Sequence, residues 1–236
     1  MKDKSLKRVL GLGDAVGVGL GAIIGAGIFV VTGVAAGVAG PAFLVGLLIA
    51  GMVASFNGLS SAQLAAVYPQ SGGTYEYGYR LMGPAWGFSA GWMFLISKLS
   101  AAGVVAIGFG SYFHQLLPLL DPLYYSVMAV VLLTLANLMG VQKAGFINIL
   151  IVAVTLLGSF DFVVRAATFT ILLYYGITNL SAIKQPANEH IYGRIIPWLG
   201  LAGCIAMSIS LPLSVIASGL ILLATGFLLR RIPRIN

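Results

Sequence analysis

Charge is what this sequence has least of. Charged residues are 8% of its 236 positions, where a soluble domain carries roughly 25%. Acids are the rarer sign, with six Asp and Glu against thirteen Lys and Arg. No combination of nucleophile, general base and orienting partner emerges from so few ionisable groups, so no enzyme is expected. The single cysteine, Cys204, excludes an intramolecular disulfide and a cysteine zinc site. His114 and His190 stand far apart with no metal-ligand spacing. Neither a metal nor a cofactor is expected. Gly17-Val-Gly19-Leu-Gly21 lacks the strand, turn and acidic residue that give a dinucleotide loop its meaning.

What is present is apolar. Hydrophobic residues make up 59% of the chain, and the mean hydropathy is +1.01. Such a chain is an all-α integral membrane protein in contact with the lipid bilayer. Its 31 glycines suit helices that pack closely through small residues. The net charge of +7 fits loops on the cytoplasmic face of a membrane, and no nucleic-acid partner is expected. Met1 to Leu10 is basic, and the apolar run behind it continues to about Ala36. That is too long for a signal-peptide core, so it reads as an uncleaved first span.

A spanning helix needs about 20 apolar residues. Segments of that order fall at 14–36, 41–67, 84–112, 123–140, 160–182, 195–211 and 213–229. A shorter one, 145–159, would be about 22 Å long as a helix. About eight transmembrane helices result. With the N-terminus inside, Lys2, Lys4, Lys7, Arg8, Arg80, Lys143, Lys184, Arg194, Arg230, Arg231 and Arg234 are all cytoplasmic. Lys98 and Arg165 are the exceptions. Treating 145–183 as one span would invert everything after it, including the arginine-rich tail. Both termini are therefore expected in the cytoplasm. Tyr68-Pro-Gln-Ser-Gly-Gly-Thr-Tyr75 reads as a turn-rich inner connection. Leu81-Met-Gly-Pro84 reopens a helix with Pro in its first turn.

The first span contains Gly21-Ala-Ile-Ile-Gly-Ala-Gly-Ile-Phe29. Each glycine costs a helix interior about 1 kcal/mol relative to alanine. One reading is close helix packing through small residues. The other is a broken helix of the kind that holds substrate at the bilayer midplane. Lys98 lies near the centre of the third span, where a lysine costs about 2.5–3.5 kcal/mol on insertion scales. It is either a coupling group whose ammonium titrates or replaces a bound cation, or a structural lysine that snorkels or pairs with carbonyls. Asp14 reads as a helix cap. Asp161 and Arg165 form an i,i+4 pair in the favourable order. Asn57, Ser60 and Ser61 share one face of the second span and predict interhelical hydrogen bonds. Tyr174, Tyr175, Thr178 and Asn179 make a similar face.

The sequence resembles the amino acid–polyamine–organocation superfamily of permeases. The resemblance rests on GLGAIIGAGIF at 19–29, GPA at 40–42 and YPQSGGTYEYGYRLMGPAWGFSAGW at 68–92. TFTILLYYGITNLSAIK at 168–184 resembles the tenth span of that family. The family has about twelve spans in a leucine-transporter-like fold of two inverted five-helix repeats. By resemblance, 1–159 is the first repeat, with a short fifth helix, and 160–236 corresponds to spans ten to twelve. The equivalents of spans six to nine look absent, so the fold is a partial inverted repeat.

The resemblance implies an amino acid substrate bound at the break in span one. The N–H groups around Gly25, Ala26 and Gly27 would take its carboxylate, helped by the helix dipole. The carbonyls of Ile23 and Ile24 would accept from its ammonium. The other half of the site would lie in the missing sixth span. Two readings follow. One is a secondary active permease of the inner (plasma) membrane, working by alternating access. The other is a non-transporting remnant, or a helical subunit that associates with another permease. A channel is weaker, because the polar residues do not form a continuous stripe. Proton and sodium coupling both stay open, as does a homo-oligomer.

Overall fold

A computed structural model describes residues 11–14, 16–17, 32–138 and 160–231. Among them no strand occurs. In chain order the helices are α1 (Thr32–Ala39), α2 (Ala42–Val67), α3 (Thr74–Met82), α4 (Pro84–Leu116), α5 (Pro122–Leu138), α6 (Phe160–Lys184), α7 (Ile195–Ile209) and α8 (Leu213–Arg231). The all-α membrane architecture expected from the sequence is the one adopted.

Among the described residues, four segments are long and apolar enough to cross a membrane: α2, α4, Asp161–Lys184 of α6, and α8. In α2 only 11% of the most apolar stretch is buried by protein. A surface that apolar is stable only against lipid or another apolar partner. The helix at the expected span 195–211 is α7, which has 15 residues and a length of about 22 Å. It stops where the turn Ser210–Pro212 begins, and the proline cannot continue it. The segment 145–159 lies outside the described residues.

The chain divides into two compact units. One holds 44–96 and 168–231 of the described residues. In it α2 leads through a turn into α3, where the sequence suggested only a connection. Gly72, Gly73 and Gly83 take positive φ at the two ends of α3, a conformation that other residues adopt only with strain. Pro84 then opens α4, as expected. Its core has two apolar clusters. Val53, Leu172 and Cys204 pack with Tyr175 and Met207. Leu64, Tyr77 and Ala182 pack with Tyr68 and Leu81.

Hydrogen bonds fix which helix ends of this unit lie together. Gln63 Nε2 donates to Gln185 Oε1 over 2.8 Å, and Tyr68 OH donates to Glu189 Oε2 over 2.8 Å. These join the end of α2 to the end of α6 and the approach to α7. Arg230 Nη1 donates to the Pro84 carbonyl over 3.2 Å, joining the end of α8 to the start of α4. Arg80, Lys184, Arg194, Arg230 and Arg231 therefore share one end of the unit. Glu76 pairs with Arg80 there.

The other unit holds 97–138 and 160–167 of the described residues, with those up to Phe43. Ser97 Oγ donates to the Ala167 carbonyl over 3.3 Å, tying α4 to α6. The turn between α4 and α5 is closed by Tyr125, whose hydroxyl donates to the Leu117 carbonyl over 2.6 Å. Asp121 Oδ1 accepts from the Leu123 N–H over 2.9 Å, an N-cap bond. Asp14 Oδ2 accepts from the Gly11 N–H over 3.1 Å, so it caps as the sequence suggested.

Candidate functional site

The described chemistry concentrates in a polar seam between α2 and α6. On α2 the buried residues are Val53, Asn57, Ser60, Gln63 and Leu64. They recur at the three- and four-residue intervals that place side chains on one helix face. On α6, Thr178, Asn179 and Ser181 are completely buried. Sequence and packing agree here: a polar stripe inside an apolar bundle must be satisfied by its neighbours.

Asn179 is the hub of the inner part. Its Nδ2 donates to Asn57 Oδ1 over 2.7 Å and to the Tyr175 carbonyl over 3.0 Å. The Cys204 thiol also reaches Asn57 Oδ1, at 3.5 Å. The Asn179 amide lies against α7 at Gly200, where a Cβ would stand 2.5 Å from Oδ1 and 2.8 Å from Nδ2. Glycine is required there so that the helix can approach the amide. Ser60 Oγ and Asn179 Oδ1 are buried without a hydrogen-bond partner. A cavity of about 380 Å³ opens beside Asn57, bounded by Ser61, Thr168, Tyr175 and Met207.

The outer part centres on Gln63, which uses both ends of its amide. Oε1 accepts from the backbone N–H of Tyr192 at 3.0 Å and of Ile191 at 3.3 Å. Nε2 donates to Gln185 and lies 3.2 Å from His190 Nδ1. His190 Nε2 in turn lies 3.1 Å from the Gln185 carbonyl. A donor on one ring nitrogen and an acceptor facing the other select the neutral tautomer protonated at Nε2. Thr74 and Thr178 bond across α3 and α6 at 2.6 Å. Burial, followed by the bond to Glu189, pushes the Tyr68 hydroxyl above its usual pKa.

The seam can order helices and offer amide groups to a polar ligand; its one acid, Glu189, lies at the outer end and is bonded to Tyr68. Among the described residues no three His, Cys, Asp or Glu gather as a metal site. Ile23, Ile24, Gly25, Ala26 and Gly27 lie outside the described residues. Lys98 is exposed on α4, between buried Ser97 and Leu99. Asp161 and Arg165 pair at 2.8 Å with both side chains well exposed, which is worth about 0.3–0.5 kcal/mol. The Asn57–Asn179 contact follows the polar faces read from the sequence. Gln63, Gln185 and His190 form a cluster that sequence reasoning did not assemble. Its only signal was Gln63 standing three residues beyond Ser60 on the same stripe.

The amino acid permease family matches residues 14–159, more than half of the chain. The chain belongs to the amino acid permease family. An uncharacterized transporter of Mycobacterium tuberculosis is 39% identical over 190 residues, which are 80% of this chain and 41% of the relative. The branched-chain amino acid permease BcaP of Lactococcus lactis is 32% identical over 204 residues, again 80% of this chain and 41% of the relative. BcaP of Bacillus subtilis is 36% identical over 115 residues, 49% of this chain and 25% of the relative. The chain thus spans about two fifths of the length of the first relatives it matches. No solved structure matches it. Family membership and the apolar helices make this permease-family chain a multi-pass membrane protein, within a family of transporters.

Proposed function

We infer that this chain serves amino acid transmembrane transport, as a secondary active permease working by alternating access. The match to the family over 14–159 carries the reading, because that region contains the glycine-rich run Gly21–Phe29. The substrate carboxylate binds the N–H groups of Gly25, Ala26 and Gly27, and its ammonium binds the carbonyls of Ile23 and Ile24. This is the polarity a broken helix offers, with N–H groups on one half and free carbonyls on the other. Residues 1–159 correspond to the first five-helix repeat and 160–236 to the last three family spans. Lys98 is the coupling candidate, for a proton or in place of sodium. The basic end of the α2–α6 unit faces the cytoplasm under the positive-inside rule, in the inner (plasma) membrane with both termini inside.

One observation favours a second reading. The chain covers only 41% of the relatives it matches over most of its own length. A chain lacking the partner half of the binding site acts alone only if a second copy supplies it. Otherwise it is a non-transporting remnant or a subunit of another permease.

Uptake into proteoliposomes containing only the purified chain separates the two. The substrate is a labelled amino-acid mixture that includes leucine, isoleucine and valine, since relatives carry the branched-chain name. A proton gradient, a sodium gradient and no gradient run in parallel. Saturable uptake that Gly25→Leu abolishes is expected. No uptake by folded, inserted protein overturns autonomous transport and leaves the second reading.

A further inference from the structure

The amino-acid site makes no use of a second feature, a groove between α3, α4 and α8 at the basic end. It has a volume of about 440 Å³ and is lined by Tyr75, Tyr79, Phe88, Trp92, Gly226 and Arg230. Its wall is aromatic and rigid. Phe88 and Trp92 stack with ring centroids 6.3 Å apart, and Phe88 meets Phe227 at 5.4 Å. Trp92 is pinned by its Nε1 donating to the Leu222 carbonyl over 2.7 Å. The ring lies over Gly226, where a Cβ would stand 2.5 Å from Nε1. Glycine there gives the indole room against α8.

One cation stands in the lining. The Arg230 guanidinium lies 5.2 Å from the Phe88 ring centroid and spends one donor on the Pro84 carbonyl. A guanidinium has five donors, and Arg230 is exposed. The remaining donors are available to an anion. From Pro84 to Trp92 the helix rises about 12 Å, close to half the roughly 30 Å hydrocarbon core. The groove is therefore charged where headgroups lie and aromatic along the depth of one leaflet.

We propose that this groove is a binding site for an anionic phospholipid, with its phosphate on Arg230 and an acyl chain along Phe88 and Trp92. The charge supports this occupant. Among the described residues, five basic side chains at this end stand with two acids, Glu76 and Glu189, and Glu76 is already paired to Arg80. Basic pockets between helices on the cytoplasmic side suit anionic headgroups. The aromatic wall excludes a free anion as the better fit, because it would stay uncovered.

The test uses the full chain with Trp86→Phe and Trp198→Phe. Both of those tryptophans are exposed, and Trp92 becomes the only indole. In bilayers of phosphatidylcholine, its fluorescence is quenched with chain-brominated phosphatidylglycerol or chain-brominated phosphatidylcholine. Phosphatidylglycerol is expected to win by about fivefold, the worth of one arginine near an anionic surface. Arg230→Gln should bring the ratio to one. Arg230→Lys, which keeps the charge, and Arg231→Gln, which lies outside the groove, should keep most of it. Equal quenching in the parent overturns the proposal. So does an Arg231→Gln loss as large as that of Arg230→Gln, since that is a surface-charge effect. Inorganic phosphate that displaces the quenching lipid overturns it as well, because the ligand is then a free anion. Quenching by phosphatidylcholine reports whether each variant still seats Trp92.

Discussion

Asn57→Ala, Asn179→Ala and the double substitution measure what the seam contributes to holding α2 against α6. The two amides meet at 2.7 Å and are at most 3% exposed. Interhelical polar contacts in membranes couple by about 0.6 kcal/mol on average and about 1.7 kcal/mol at most. This pair is fully buried and shares a third member in Cys204, so a coupling near 1–1.5 kcal/mol is expected within that range. Gly200→Ala extends the cycle. Its methyl would stand 2.5 Å from Asn179 Oδ1, and overpacking of that kind costs about 1–3 kcal/mol. With Asn179→Ala in place, the same methyl fills space the amide has left, and the cost should fall below about 0.5 kcal/mol. Reversible unfolding of the purified chain in mixed micelles, followed by circular dichroism, reads each corner. Additive Asn57 and Asn179 effects would refute the hub. A Gly200→Ala penalty that survives removal of the amide would refute the cradle.

Two further perturbations test the outer cluster. Gln63→Met leaves the N–H groups of Ile191 and Tyr192 and the Gln185 amide without their partner, at about 1–3 kcal/mol for the buried Gln185 amide. Hydrogen exchange should quicken at Ile191 and Tyr192 while α8 keeps its protection, and unchanged exchange at those two amides would contradict the assignment. Tyr68 has a folded pKa raised above the ordinary 10.0 by burial and by its bond to Glu189. A raised pKa means the unfolded chain releases the proton first. Its stabilising share is therefore intact below pH 10.0 and is lost as pH climbs from there through the folded value. Tyr68→Phe should flatten that part of the alkaline stability curve, and a curve identical to the parent would show that folding does not raise the Tyr68 pKa.

The helices were legible because lipid leaves few options: long apolar runs must be helical, and prolines and glycines mark their ends. Pro84, the Asp14 cap and the Asp161–Arg165 pair could be read locally, since each involves residues within one turn. The short α3 was not legible. Its sequence, TYEYGYRLM, is polar and sits between glycines, and packing against α2, α4 and α6 holds it as a helix. The Gln63 cluster was hidden for a different reason. Its partners are 122 to 129 residues away, and a lone glutamine in a span has no periodicity to announce what it bonds.

The same limit bears on what the seam is for. Asn57 and Asn179 were expected as helix contacts, and Asn179 Nδ2 is spent on Asn57 and on the Tyr175 carbonyl of its own helix, while Asn179 Oδ1 is left without a partner. Side chains already spent on holding α2 to α6 are poorly placed to follow a moving substrate. They suit a rigid frame against which a broken first span would work. A frame of that kind predicts a separation of effects. Loosening it with Asn179→Ala should lower stability, whereas Gly25→Leu should leave stability near the parent and remove uptake. If Asn179→Ala instead changed substrate affinity at unchanged stability, the seam would belong to the substrate path and the division between frame and site would be lost.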